Sequence, residues 1–146
     1  MRGRGFLPLL VLWSLLGAVA GERSHAAFTA DRLVWIQPAD LARKIEEKRA
    51  KRYFFNLVDL RLEVDFLKGG IPGAVNIPLV KLRFVAEREF DKSEDLVLYG
   101  YSRDDRASVN AVVLLVNKGY GRVMLLEGGW EAWRGQVRDT VQIENK

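Results

Sequence analysis

A chain of 146 residues is long enough for one domain with a sizeable core, and 49% hydrophobic with 29% charged side chains is a globular rather than a disordered balance. The formal net charge of +4 is too small, and Lys and Arg too little interleaved with aromatics, to indicate a nucleic-acid partner. The absence of cysteine excludes disulfides, thiolate metal sites, lipoprotein anchoring and cysteine catalysis, and neither a cofactor nor a resident metal is expected.

Residues 1–20 read as a signal peptide. Met1 to Gly5 carries Arg2 and Arg4, Phe6 to Leu16 is an apolar run, and Ala18-Val19-Ala20 places small residues before Gly21 as a cleavage site requires. An uncleaved anchor is the alternative, but the apolar stretch to Ala20 falls short of the roughly 20 residues that span a bilayer. Cleavage after Ala26 is a second candidate. The expectation is an exported, periplasmic-type protein with no membrane attachment after processing. Loss of Arg2 and Arg4 would leave 21 basic against 19 acidic side chains. Residues 21–32 lack periodicity and read as a linker, and the folded domain is expected over residues 33–135.

Leu33 to Ile36 is expected as a short strand. Pro38 suits the first turn of a helix running to about Arg49, with Leu41 and Ile45 four apart on one face. Tyr53 to Val58 is a near-continuous apolar run, as in a strand buried on both faces of a parallel sheet. Val64 to Lys68 can form a helical turn, Ala74 to Ile77 a strand closed by Pro78, and Leu79 to Arg88 a helix. Asp95 to Tyr99 reads as another buried strand. Arg106 to Lys118 reads as a helix with Val109, Val112, Val113 and Val116 on its apolar stripe and Gly119 as its stop. Val123 to Leu126 is a last strand and Trp130 to Arg134 a last short helix. Residues 136–146 form a polar tail. Strands alternating with helices imply a parallel sheet covered on both faces.

Three motifs then stand out in order: Asn56-Leu57-Val58-Asp59-Leu60-Arg61, Gly69-Gly70-Ile71-Pro72-Gly73-Ala74-Val75-Asn76-Ile77-Pro78 and Leu126-Glu127-Gly128-Gly129-Trp130-Glu131-Ala132-Trp133. They resemble the Asp-x-Arg strand end, the Gly-His-Ile-Pro-Gly-Ala turn and the Gly-Gly-x-x-x-Trp signature of the rhodanese family. The resemblance spans about Leu33 to Arg134. It implies an α/β rhodanese-like fold, a central, mostly parallel five-stranded sheet with helices on both faces. Physically, Asp59 and Arg61 are expected to hold the turn through backbone and mutual contacts. Gly70 stands where the family has histidine and removes a hydrogen-bonding side chain. Pro72 and Gly73 shape the turn, Gly73 through a backbone angle denied to other residues. Trp130 and Trp133 are expected as core plugs.

The same resemblance puts Gly100 at the position of the family's catalytic cysteine, which makes persulfide chemistry unavailable. The loop Gly100-Tyr101-Ser102-Arg103-Asp104-Asp105-Arg106 is then a Gly-x5-Arg version of Cys-x5-Arg, like the longer loop of rhodanese-related cell-cycle phosphatases. Ser102 has no activating base, since the only histidine, His25, lies in the linker. Arg103 and Arg106 favour weak binding of a small anion, and Asp104 and Asp105 oppose it. Asp105 is expected as the N-cap of the following helix, accepting from the amide of about Ser108. Tyr101 and Arg103 suit a protein contact. If the loop amides face inward, a cysteine introduced at Gly100 should be a reactive but poorly catalytic thiol. The function expected is an exported, non-catalytic module with a binding, regulatory or accessory role and an unidentified protein partner. The alternative is a non-covalent binder of thiosulfate, sulfide or another small anion.

Overall fold

The computed structural model describes residues 33–136, so the expected signal peptide, linker and all but the first residue of the tail lie outside the described residues. Five strands and five helices alternate. They are β1 Val34–Ile36, α1 Pro38–Arg49, β2 Asn56–Asp59, α2 Glu63–Phe66, β3 Ala74–Asn76, α3 Leu79–Glu89, β4 Leu96–Tyr99, α4 Arg106–Asn117, β5 Val123–Leu126 and α5 Gly129–Gln136.

The strands form one sheet in the order β1-β5-β4-β2-β3, every neighbouring pair parallel. Parallel neighbours need a crossover each, and the intervening helices supply it on both faces. Central β4 is buried along all four residues, which is why Leu96-Val97-Leu98-Tyr99 is continuously apolar rather than alternating. Leu82, Ala86 and Phe90 from α3 and its end join Ala111, Val112 and Leu115 of α4 against one face. Leu41 and Ile45 of α1 with Trp133 of α5 cover the other. Each fully buried leucine here contributes about 1.5–3 kcal/mol relative to exposure.

Three expectations need correction. The strand anticipated over Tyr53 to Val58 is confined to Asn56–Asp59. Asn56 N donates to Asp95 O where the neighbouring β4 begins, so earlier residues have no ladder to join. Tyr53 instead stacks beside Phe55, with Lys44 of α1 4.0 Å from its ring centroid. In α4 the buried stripe is Ser108, Ala111, Val112 and Leu115, while Val109 and Val116 only flank the core. The helix is apolar over so much of its circumference that valine spacing alone misplaces the buried face by one position. Gly119, with φ +93°, follows the helix end. The last helix runs two residues past Arg134, to Gln136.

All five strands point their carboxyl ends the same way. The Asp59–Arg61 strand end, Gly69 to Ile71, the Gly128-Gly129 start of α5 and the Gly100 loop therefore gather at that end of the sheet, as expected of ligand-bearing loops in open α/β sheets, while Pro72 and Gly73 lie at the amino end of β3.

Candidate functional site

The floor of this end is a buried ion pair. Asp59 is fully buried and Arg61 is 2% exposed. Arg61 Nε donates to both Asp59 carboxylate oxygens at 3.1 Å and Nη2 donates to Oδ2 at 2.6 Å. The Arg61 backbone amide also donates to Oδ1 at 2.9 Å, and Nη2 reaches Gly69 O at 2.7 Å. Asn76 Nδ2 donates to the carbonyls of Asp59 and Arg61, locking the strand end from the β3 side. The guanidinium lies 4.4 Å from the Trp130 ring centroid, a cation–π contact in a desolvated site. Burial pulls the Arg61 pKa down, but the Asp59 carboxylate outweighs it and raises it above its ordinary value.

Tyr99, at the end of β4, accepts from Ile71 N through its hydroxyl at 3.1 Å. Burial, and then the neighbouring Asp59 charge, push its pKa up, so it stays a neutral phenol. Sequence reasoning did not single it out, because a tyrosine ending a buried apolar strand looks like core until the Ile71 amide is seen above it.

Gly70 is not a vacancy. A Cβ there would meet Phe66 Cε2 and Cδ2 at 2.7 and 2.8 Å, so the phenyl ring of α2 takes the room of a side chain at this position. Pro72 lies in the following turn and Gly73 has φ +79° with nothing near its missing Cβ, so this glycine answers to backbone angle alone.

The Gly100 loop is organised around one carboxylate. Asp105 Oδ2 accepts from Tyr101 N at 3.1 Å and from Ser108 Oγ at 2.8 Å, while Oδ1 accepts from Ala107 N at 3.0 Å. The helix cap thus exists, but its side-chain acceptor serves Ala107 rather than Ser108, whose amide bonds Asp105 O and whose hydroxyl joins the carboxylate instead. A Cβ on Gly100 would overlap Asp105 Oδ2 and Ser108 Oγ outright. The space into which a cysteine would project is filled by the Asp105 carboxylate, one of the two loop charges expected to oppose an anion there.

The remaining loop residues are more open. Tyr101 accepts from Leu62 N at 3.2 Å through its hydroxyl and donates to Asp65 Oδ2 at 2.6 Å, stapling the loop to α2. Arg103 approaches Glu127 at 3.5 Å, and Glu127 also receives Gln37 Nε2. Arg103, Asp104, Asp105, Arg106 and Val109 line an open depression of about 320 Å³. Ser102 is half-buried and, among the described residues, no base is placed to activate it.

The loop rests on the start of α5. Trp130 N donates to Gly100 O at 2.9 Å and Glu131 N to Tyr101 O at 3.0 Å. This approach explains the paired glycines. Gly129, at φ +58°, would put a Cβ 2.8 Å from Gly100 O and 3.0 Å from Ser102 N, and at Gly128, φ +71°, a Cβ would strike Ala132. Trp133 is a core plug at 2% exposure with Nε1 unpartnered, whereas Trp130 is half-buried and serves as the platform for Arg61.

The profile of the rhodanese-like domain matches residues 37–136, from the start of α1 to the end of α5. The chain belongs to the rhodanese-like family. A sulfurtransferase of Allochromatium vinosum is 38% identical over 79 residues, which cover 53% of this chain and 69% of that protein. A thiosulfate sulfurtransferase of Pseudomonas savastanoi pv. phaseolicola is 31% identical over 107 residues, 72% of this chain and 92% of that one. Among solved structures, the rhodanese-like domain of an Anabaena sp. protein superposes with a TM-score of 0.61 at 29% identity, covering 69% of this chain and 73% of that chain. This rhodanese-like chain contains no cysteine anywhere in its sequence.

Proposed function

We propose that this rhodanese-like protein is an exported, non-catalytic module whose role is binding, regulatory or accessory. The observation that carries this reading is the Asp105 carboxylate, held by Tyr101 N, Ala107 N and Ser108 Oγ in the space next to Gly100. Covalent sulfur carriage needs a thiolate, which the chain lacks. Non-covalent anion binding in the same loop needs free donors and a positive field, and Asp105 takes up the Tyr101 and Ala107 amides and the Ser108 hydroxyl while opposing the field. This weighs against the alternative, a binder of thiosulfate, sulfide or a similar anion. A binding role draws support from the rim, where Leu62, Val64 and Leu67 are each more than half exposed beside the stapled Tyr101.

The test combines an assay with a titration. Thiosulfate-to-cyanide sulfur transfer should stay at background. Thiosulfate, sulfate and phosphate should leave the amide resonances of Tyr101 to Ala107 without a saturable shift. Transfer above background would overturn the non-catalytic reading, and a saturable shift would put the anion binder in its place.

A further inference from the structure

The opposite end of the sheet, where β2 and β3 begin, holds a second feature unrelated to the loop. A cleft of about 300 Å³ opens between the last turns of α1 and the Pro72-Gly73 turn. Ile45, Phe55, Leu57 and Pro72 line it, and Lys48 and Arg49 stand at its margin. That volume lies at the low end for ligand pockets and suits one inserted side chain better than a cofactor.

Charge is concentrated here. Arg43, Lys44, Lys48, Arg49, Lys51 and Arg52 lie within ten residues that contain only Glu46 and Glu47 as acids, a local excess of +4 equal to the formal charge of the whole chain. One or two cations in a final turn would satisfy the helix dipole, and six exceed that need. Some are engaged: Arg43 pairs with Asp40, Arg49 with Glu46, and Lys48 Nζ donates to Phe55 O at 2.7 Å. The two ion pairs are exposed and worth little, so a stronger anion can displace them, whereas the Lys48 bond is part-buried. The backbone continues through Lys51, a non-glycine residue at φ +56°, which turns Lys51 and Arg52 back toward the start of β2.

We infer that this end of the domain docks an acidic protein segment that inserts one apolar side chain into the cleft between Ile45, Phe55, Leu57 and Pro72 while its carboxylates face the cations of α1. Charge complementarity selects an acidic partner and the recessed apolar lining selects a peptide side chain over a flat anionic surface. An anionic lipid bilayer is the competing occupant, since Phe54, 71% exposed at the same sheet end, would also suit a membrane. This site lies away from the Gly100 loop, so it stands whether or not that loop binds an anion.

The experiment uses the intact protein and the blocked peptide Glu-Asp-Leu-Glu-Asp, with one control carrying Ala for Leu and one carrying Lys for each acid. The acidic Leu peptide should shift the Ile45 and Leu57 methyl and Gly73 amide resonances saturably, more weakly as salt rises. The Ala peptide should bind roughly tenfold more weakly, and the Lys peptide should not bind. Arg49→Glu combined with Lys51→Glu should abolish the shifts while leaving the fold and the Gly100-loop resonances unchanged. Absent shifts, or equal binding of the Leu and Ala peptides, would overturn the inference. Vesicles of phosphatidylglycerol that bind the protein when the peptides do not would transfer the site to a membrane.

Discussion

Asp105 joins capping, loop closure and the filling of the space beside Gly100 in a single side chain, and its substitutions separate these roles. Asp105→Ala removes the Ala107 cap and the bonds from Tyr101 N and Ser108 Oγ, and should cost about 1–3 kcal/mol by urea unfolding. Asp105→Asn keeps an acceptor and should cost clearly less. Gly100→Cys alone should destabilise by about 1–3 kcal/mol through overpacking, since its Cβ overlaps Asp105 and Ser108. Combined with Asp105→Gly it gains room, and its thiol, followed by iodoacetamide rate against pH, should titrate lower than in Gly100→Cys alone. An equal or higher thiol pKa in the double variant would show that the loop amides do not favour an anion. Asp65 gives the pH-dependent test. The Tyr101 hydroxyl, and then Lys68, hold its pKa below the ordinary carboxylate range. A depressed carboxylate stabilises the fold above its unfolded pKa and loses that contribution as pH falls through the folded value. Tyr101→Phe should therefore move the Asp65 carboxyl titration upward, and an unmoved titration would mean that the staple is not formed in solution.

Elements follow the sequence where one local rule suffices. Pro38 starts α1 where its missing N–H costs nothing, and Gly119 stops α4 with a left-handed angle. Sequence failed where a distant strand decides: β2 begins at Asn56 because β4 begins at Leu96, a fact invisible in the apolar run Tyr53 to Val58. The candidate loop was legible as a segment, but its occupant was not. An aspartate before a helix announces a cap, yet nothing local announces that its carboxylate also reaches Tyr101 N. Phe66 filling the room beside Gly70 was hidden for the same reason, since α2 is only four residues long and its packing is tertiary. Glycine substitutions test the element contacts. Gly129→Ala should cost about 2–4 kcal/mol and displace the loop, because it combines φ +58° with a Cβ pressed on Gly100 O. Gly73→Val meets open space but is strained by φ +79°, so it should destabilise more than Gly135→Val, where α5 has room and an ordinary angle. Equal thermal losses for the last two would contradict the placement of the turn.

At the scale of the whole molecule, one parallel sheet presents two different ends. The carboxyl end holds the closed Gly100 loop on the Asp59–Arg61 pair, and the amino end holds the basic cleft under α1. Asp59→Asn should be among the most damaging single changes, about 3–5 kcal/mol, because it strands a buried guanidinium. Export belongs to this scale too: mass spectrometry of secreted material should find a mature chain beginning at Gly21, and an intact Met1 in a membrane fraction would reveal an anchor instead. The filling of the Gly100 space also bears on history. A cysteine at 100 and an inward Asp105 cannot share that space, so an ancestor that used a thiol must have given it up, or kept residue 105 turned away, before the present arrangement could settle. With Asp105 inward, a cysteine at 100 alone is overpacked against Asp105 and Ser108. A side chain at position 100 therefore needs a second change, at residue 105, before it fits.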